Sequence, residues 1–461
     1  MEANVLRNNS IDKKLNNVVN INIVIMLMGR LVSLFGSNIY SFAMSMYILS
    51  KTGSSMSFSI NLVLVILPQV LFAPISGVIA DKVDKKKMIV SMDILSGIVI
   101  LILFGVSMIN GLQISYIYTA TFLLAICTVF FDTPMTAAIP SLINKEKLTK
   151  INSWNEAVSS ITRISGPFIG GIVFALIDIR LFLLVNGVSF ILSGISEIFL
   201  NFNVEEMINE ECFNEDSINE EVHQENSFNE VDESKGNNKQ EEKKSVKSTL
   251  IEYWVNFLEG IKYLKREKWL GTFMTYIIAI NFLCGMGIGV PGNYIMMNVI
   301  GFDPKVIGII NMAFPAAALV TAMIISLLPE AKSVYRKLIF GLCVTSVCVI
   351  SMGVLIIPEF LQLSMTGYFI IFITIYSAAS IATTTFNIPI NVTLQKMIPA
   401  DKRGRIFGVI GMLATVAMPV AFLLSGIMME YLPVFITPIT AGTIMFILTV
   451  SMSRKKEIKK M

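Results

Sequence analysis

Three charged residues lie deep inside long apolar runs of the sequence, a placement that indicates ionic or proton chemistry. Arg30 lies about ten residues into the first run, Asp132 about eleven residues before the end of the fourth, and Arg163 about thirteen residues into the fifth. At a helical rise of about 1.5 Å per residue, each is on the order of 15 Å from the nearer end of its run. Ionisable groups at such depth in an apolar layer are costly, and are therefore candidates for ion or proton pathways.

Three further acids, Asp93, Glu156 and Glu197, lie nearer the ends of their apolar runs. Charged groups near the end of a membrane segment can reach the polar interface at low cost. We therefore expect these three carboxylates to be interfacial groups.

The sequence lacks the patterns of most other site chemistries. It contains no nucleotide-binding loop, no cluster of metal ligands and no nucleophile paired with a histidine. The single histidine, His223, lies in a polar stretch, so no histidine is available to carry protons inside an apolar run. The five cysteines have no paired spacing, which indicates packing residues or free thiols. We expect a protein that is not an enzyme and has no metal, cofactor or nucleic-acid partner.

The apolar runs that must position these charges are long enough to cross a membrane. Hydrophobic residues make up 54% of the 461 residues and charged residues only 15%. About 20 apolar residues span the hydrocarbon core as a helix, and these runs are far too long for barrel strands. The runs are approximately 21–49, 55–80, 88–109, 113–143, 151–177, 181–201, 270–298, 304–328, 338–357, 364–395, 406–430 and 432–452. The sequence therefore predicts an all-α membrane protein with twelve transmembrane helices.

Basic residues cluster in every second connection between the runs. The clustered residues are Lys82, Lys85, Lys86, Lys87, Lys145, Lys147, Lys150, Lys332, Arg336, Lys337, Lys396, Lys402, Arg403, Arg405 and, after the last run, Arg454, Lys455, Lys456, Lys459 and Lys460. The other connections hold at most one isolated basic residue each. The positive-inside rule then predicts a plasma-membrane protein with both termini in the cytoplasm, which agrees with an even number of spans.

A polar segment, 203–249, divides six runs from six. It is rich in Glu, Asn and Ser and cannot bury a core, so it is predicted to be a flexible cytoplasmic linker between units 1–202 and 250–461. Apolar residues at helical spacing follow it, from Leu250 to Leu264, and predict an amphipathic helix in the membrane interface. A calmodulin-like target helix is the alternative.

A faint repeat supports this division. Asp132-Thr-Pro134 in the fourth run is matched by Asn387-Ile-Pro389 in the tenth, 255 positions later, and at the same offset Gly171 matches Gly426. Parallel repeats of this kind are the sign of one transporter architecture.

Several short motifs resemble those of one transporter family. Gly77-Val-Ile-Ala-Asp81-Lys82, followed by Lys85 and Lys86, resembles the loop between spans 2 and 3 of the major facilitator superfamily, although Asp84 stands where that loop normally has a second glycine. Gly166-Pro167-Phe-Ile-Gly170-Gly171 resembles the glycine–proline motif of its antiporter branch. Stretches 139–153 and 404–408 are similar to its drug-efflux members, which include macrolide efflux proteins.

The resemblance implies two pseudo-symmetric six-helix bundles that rock around a central site. It also implies that spans 1 and 4 border this site, so Arg30 and Asp132 are expected to meet there. Asp132 is then the candidate proton-coupling acid and Arg30 its partner, because burial disfavours the carboxylate while a guanidinium stabilises it. A purely structural ion pair is the alternative. Asn387, the counterpart of Asp132, cannot titrate, which would confine coupling to the first half.

The motifs themselves are expected to have mechanical roles. Asp81 is predicted to cap the start of span 11 near Arg405, a contact between the halves that would hold the outward-open state. A plain positively charged loop is the alternative. Gly166, Gly170 and Gly171 are predicted to lie on one side of span 5 and to admit another span closely, with Pro167 as a kink; ordinary helix packing is the alternative.

We therefore expect a monomeric secondary transporter whose partners are an amphipathic small molecule, protons and the lipid bilayer. The expected activity is efflux of lipophilic compounds, macrolide-like drugs among them, in exchange for protons, with antibiotic resistance as its consequence. The alternatives are an importer, a siderophore or lipid exporter of the same fold, and a non-transporting membrane sensor or scramblase.

Overall fold

The computed structural model describes residues 2–80, 82–143, 148–202, 246–328, 333–358, 363–399, 403–456 and 458–460. In this part of the chain, twelve helical segments are long and apolar enough to cross a membrane. They coincide with the twelve predicted runs to within a few residues at each end. The predicted all-α membrane fold with twelve transmembrane helices is thus confirmed.

The described part of the first half contains six helices. They are α1 (Glu2–Thr52), α2 (Ser55–Ala80), α3 (Lys85–Asn110), α4 (Ile114–Leu142), α5 (Leu148–Leu176) and α6 (Ile179–Glu197). Helix α1 contacts α2, α4, α5 and α6, so it lies at the centre of this half. This position explains how one helix can present Arg30 toward α4 and the neighbouring Gly29 toward α6.

The described part of the second half contains nine α-helices, of which α7 is not a span and the other eight form six spans. They are α7 (Val246–Arg266), α8 (Lys268–Cys284), α9 (Pro291–Tyr294), α10 (Pro304–Ser326), α11 (Val334–Val354), α12 (Met365–Met397), α13 (Arg403–Val416), α14 (Met418–Tyr431) and α15 (Ile436–Ser453). Spans 7 and 11 are interrupted near Pro291 and Pro419, because proline lacks the N–H that a continuous helix needs. Span 7 contains two π-helical turns, Gly285–Gly289 and Ile295–Val299.

Residues 203–245 of the predicted linker lie outside the described residues. Helix α7 begins at Val246, so it includes the last four residues of the range that was predicted to be linker. Phe257, Ile261 and Leu264 of α7 pack against the core of the second half. Trp254 and Leu258 remain exposed. The helix is therefore amphipathic, with one face on the protein.

Asp84 begins α3 as its N-cap. Its carboxylate accepts hydrogen bonds from the backbone N–H groups of Lys86 at 2.9 Å and Lys87 at 3.3 Å. An aspartate in this position satisfies free N–H groups of the first turn and complements the positive end of the helix dipole. Asp84, which stands where the resembled loop motif has a second glycine, therefore serves as the N-cap of α3.

Replacing Asp84 with alanine is expected to lower the free energy of unfolding by about 1 kcal/mol, because the first turn of α3 loses its acceptor. Thermal unfolding of the detergent-purified protein measures the change. Asp84→Asn keeps the acceptor, and Asp84→Gly is tolerated at N-caps at a cost of a few tenths of a kcal/mol. Equal losses in the alanine, asparagine and glycine variants would show that the cap contributes nothing.

The two halves meet most closely at the end of the bundle opposite the chain termini. We call this end the far side, and the end with the α2–α3 turn and both chain ends the termini side. Helix α5 contacts α10, and α2 contacts α14. A Cβ added at Gly171 of α5 would lie 2.6 Å from the backbone oxygen of Pro304 and 3.2 Å from the Cα of Gly308. Only glycine permits this approach of two backbones.

Gly426 makes the equivalent contact between α14 and α2. A Cβ there would collide with Ser59 Oγ and lie 3.2 Å from the Cα of Met56. Gly171 and Gly426 are the pair separated by the 255-residue offset, so both members of this sequence pair bring one half against the other. The geometry supports the repeat inferred from the sequence.

Candidate functional site

Arg30 and Asp132 form an ion pair between α1 and α4. The Arg30 Nη2 atom lies 3.6 Å from Asp132 Oδ1. Arg30 Nη1 donates a hydrogen bond of 3.1 Å to Thr136 Oγ1, one helical turn after Asp132, and this hydroxyl donates to the backbone oxygen of Asp132 at 2.9 Å. Arg30 is 8% exposed. The geometry holds the guanidinium beside the carboxylate without a direct hydrogen bond to it.

Asp132 also borders a cavity of about 150 Å³ between α1, α2 and α4. Its side chain is 36% exposed, while its Oδ1 atom is buried and has no hydrogen-bond partner among the described residues. The cavity has a mixed lining, with amide and hydroxyl groups such as those of Asn38, Gln69 and Thr128 beside apolar side chains such as Leu34 and Leu124. The carboxylate can therefore exchange Arg30 for a proton or for a donor group in the cavity.

The other two predicted polar residues are placed differently. Arg163 is an exposed residue of α5, and its charge acts electrostatically on Asp132. Asn387 is an exposed residue of α12. The structure thus brings Arg30 and Asp132 into contact and leaves Arg163 as a more distant positive charge.

The loop motif after α2 is only partly described, because Asp81 lies outside the described residues. Gly77, in the last turn of α2, has no atom within 4 Å of an added Cβ, so packing in this structure does not require a glycine there. Lys82 lies in the turn between α2 and α3, and Lys86 lies in the first turn of α3. The Lys85 Nζ atom donates a hydrogen bond of 3.4 Å to the backbone oxygen of Ala137.

The partner helix expected for Asp81 lies next to α2 on the termini side. Helix α2 contacts both α13, which begins at Arg403, and α7. The side chain of Arg405 lies outside what the structure describes. The predicted cap of span 11 by Asp81 therefore stays a prediction, between two helices that are in contact.

The glycines of the span-5 motif face two different helices, so the prediction that all three share one side was wrong. An added Cβ at Gly166 would lie 2.7 Å from Asn38 Cβ, and one at Gly170 would lie 3.0 Å from Phe42, both on α1. Gly171 is turned about 100° further around the helix and faces α10 instead. The backbone oxygen of Pro167 lies 2.8 Å from a Cβ added at Gly308, so the motif serves packing inside the first half and between the halves.

Polar contacts reinforce the far-side closure. Ser54 Oγ and Ser55 Oγ donate to Glu430 Oε2 at 3.2 and 3.3 Å, and Asn298 Nδ2 donates to the backbone oxygen of Gly53 at 3.2 Å. Glu430 lies at the end of α14 and the two serines at the start of α2. The carboxylate thus ties the end of one half to the first turn of a helix in the other.

Two acids that we predicted to be interfacial are buried. Asp93 on α3 is 1% exposed and Glu197 on α6 is 0% exposed, whereas Glu156 on α5 is exposed as expected. Helices α3 and α6 pack so tightly that a Cβ at Gly97 would lie 2.8 Å from the backbone oxygen of Gly187. This tight seam, which encloses short polar residues of α1, buries both carboxyl groups. The distance of a residue from the end of its apolar run did not reveal this burial, because the position of a residue along a helix does not show which face of the helix is packed inward.

Comparisons with known proteins agree on one fold. The sequence matches the family model described as Major Facilitator Superfamily over residues 26–422. It is 22% identical to macrolide efflux protein A of Streptococcus pyogenes over 434 residues, which cover 94% of this chain and 95% of that protein.

Two solved structures share the architecture. A bacterial homologue of the iron transporter ferroportin in an inward-facing state has a TM-score of 0.63 and 16% identity, covering 94% of this chain and 99% of its own. A POT family transporter in complex with a thioalcohol-conjugated peptide has a TM-score of 0.61 and 13% identity, covering 94% and 95%. At these identities the likeness shows the fold alone.

Proposed function

The chain belongs to the major facilitator superfamily, and we propose that it is a proton-coupled exporter of lipophilic or amphipathic compounds. The family and fold are those of transporters and not, in general, of enzymes. Twelve membrane-spanning helices make it a multi-pass membrane protein. The clusters of basic residues on the termini side support an orientation with both termini in the cytoplasm of a plasma-membrane protein.

The observation that carries the proposal is the ion pair of Arg30 and Asp132 at the wall of the cavity between α1, α2 and α4. A carboxylate that is held by a guanidinium and also reaches a cavity can exchange one positive partner for another. When a proton neutralises Asp132, the attraction to Arg30 is lost and the guanidinium is free to move. Proton uptake would in this way change the contact between α1 and α4.

The contacts between the halves supply the second step of the mechanism. Close packing at Gly171 and Gly426 on the far side supports an inward-facing state, if the termini are cytoplasmic. In this state Asp132 is paired with Arg30, as expected after the proton has left toward the cytoplasm. Proton loading from outside would require the far side to open, and the Asp81 loop would then stabilise that second state.

Export and substrate class are supported by the likeness to a macrolide efflux protein along 94% of the chain. The glycine–proline motif of α5 belongs to the resemblance with the antiporter branch and supports the same direction. The chain also contains 27 methionines and 30 phenylalanines. Such flexible or large apolar side chains suit a pocket that adapts to bulky amphipathic molecules.

A transport assay in inverted membrane vesicles tests this function. We expect accumulation of a labelled macrolide when a pH gradient is imposed, and loss of that accumulation when a protonophore collapses the gradient. A panel of lipophilic cations, neutral amphiphiles and siderophores in the same vesicles defines the substrate class. Accumulation that persists without any ion gradient would contradict secondary transport, and accumulation that follows sodium instead would contradict proton coupling.

A further inference from the structure

A second group of buried polar side chains lies in the seam between α1, α3 and α6, apart from the cavity at Asp132. Ser33 Oγ lies 2.8 and 2.6 Å from the two carboxylate oxygens of Asp93 and donates a hydrogen bond to that group. Ser193 Oγ lies 3.4 Å from Ser33 Oγ and donates to the backbone oxygen of Gly29 at 3.3 Å. These contacts connect three helices through oxygen atoms.

Glu197 completes the group and has no hydrogen-bond donor. Both of its carboxylate oxygens are buried and lack a hydrogen-bond partner among the described residues. The position of a Cβ on Gly29 would be only 2.6 Å from Glu197 Oε1, so the carboxyl group lies against the backbone of α1. Asp93 packs against the turn of α6 that precedes Glu197, since a Cβ added at Gly194 would lie 3.3 Å from Asp93 Cβ. Two carboxylates placed on facing turns repel each other when both are ionised.

Among the side chains that the structure describes, no positive charge offsets this repulsion at Asp93 or Glu197. Arg30 is the next residue after Gly29 on α1, but its guanidinium is turned to Asp132 and Thr136 of α4. The ionisable side chains of α4 that act on Asp93 are Asp132, a third acid, and Cys127. Two carboxylates buried without a compensating positive charge are strongly unfavourable, so a cation must accompany them.

We propose that Asp93, Glu197, Ser33 and Ser193 form a binding site for one small monovalent cation, separate from the Arg30–Asp132 pair. The donors are all oxygens, which suit a hard cation. No group of three or more His, Cys, Asp or Glu residues that could hold a metal ion occurs in the described part of the chain, so a divalent ion is disfavoured.

Because α1 contributes both Ser33 and Arg30, the proposed site and the Asp132 site share one helix. A cation bound between Asp93 and Glu197 would hold α1 against the α3–α6 seam. Its release would leave two like charges facing each other across the same seam and favour separation of these helices. The site would thus bias the position of α1, independently of which compound the protein transports.

Infrared spectroscopy of the purified full-length protein tests the site without a substrate. In sodium-free buffer at neutral pH, we expect a protonated carboxylic-acid band in the wild type that is lost in Glu197→Gln and kept in Glu156→Gln. Glu156 is the matched control, since it is an exposed acid on a neighbouring helix. In parallel, the melting temperature is measured with sodium chloride against choline chloride.

Two outcomes support the site and one overturns it. A band that depends on Glu197, with no effect of sodium on the melting temperature, identifies the cation as a proton. A melting temperature that sodium raises in the wild type but not in Glu197→Gln identifies an alkali ion. If neither signal depends on Glu197, the proposal is wrong. Should Glu197→Gln fail to fold, Asp93→Asn and Gly29→Ala, which places a methyl group against Glu197 Oε1, are measured in its place.

Discussion

Replacing Gly308 with valine is expected to reduce transport at least tenfold. A Cβ at this position would lie 2.8 Å from the backbone oxygen of Pro167 and 3.3 Å from the Cα atoms of Gly171 and Phe168. These atoms belong to backbone and cannot move aside as a flexible side chain would, so the far side cannot close as tightly. Overpacking of this kind costs about 1–3 kcal/mol, and about 1.4 kcal/mol already changes the ratio of two conformations tenfold.

Substrate uptake in inverted vesicles measures this loss. How open the far side has become is measured by the labelling rate of a cysteine introduced at Asn298. Because this change itself removes the contact of Asn298 with Gly53, Asn298→Cys alone is compared with Asn298→Cys combined with Gly308→Val. We expect faster labelling in Gly308→Val. The matched control is Gly105→Val, because Gly105 is also helical but has no atom within 4 Å of an added Cβ. Equal transport in the two variants would show that closure at Gly308 is not needed for turnover.

Replacing Asp132 with asparagine is expected to abolish accumulation driven by a pH gradient, with a loss of at least tenfold, while binding of the substrate persists. Asparagine has nearly the same shape but can neither carry the proton nor neutralise Arg30. The variant leaves a guanidinium that is 8% exposed without its ion pair. Removing one partner of a fully buried pair costs about 3–5 kcal/mol, and the loss is expected to be smaller here because the Asp132 side chain is 36% exposed. Lower stability is therefore expected together with loss of coupling.

The double variant Arg30→Gln, Asp132→Asn separates these two effects. It removes the orphaned charge and should recover stability, whereas coupling should remain lost because no titratable group is restored. Vesicle uptake and thermal unfolding are measured on the same preparations, with Asn387→Ala as the repeat-equivalent control at an exposed position. Normal pH-gradient-driven uptake in Asp132→Asn would eliminate Asp132 as the coupling acid and leave the ion pair with a structural role.

The number of spans and the importance of Arg30 and Asp132 could be predicted from the sequence. Long apolar runs have one solution in a membrane, so the twelve spans followed from length alone. Arg30 and Asp132 stood out because each interrupts such a run near its middle. Their contact, however, rested on family resemblance, since periodicity cannot say which helices are neighbours.

Other features depended on packing that a single sequence does not reveal. Asp93 and Glu197 were predicted to be interfacial because both lie near the ends of runs, yet the glycine-mediated contact of α3 and α6 buries them. Gly171 was assigned to the same face as Gly166, although it points to α10. No role was predicted for Glu430, because a carboxylate at the end of a span is common at the membrane interface. Its role follows from the hydrogen bonds that Ser54 and Ser55, at the start of α2, donate to it.

The equivalence of Gly171 and Gly426 has a consequence for the symmetry of the molecule. In a symmetric pair of identical six-helix proteins, a single glycine would appear at the shared interface twice, once from each copy, because such interfaces are self-complementary. Gly171 meets α10 and Gly426 meets α2, as this arrangement requires. The contacts of the two glycines therefore have the geometry of a homodimer interface built within one chain. A single chain, unlike a homodimer, can differ between its halves, as this one does with an acid at position 132 and an asparagine at position 387.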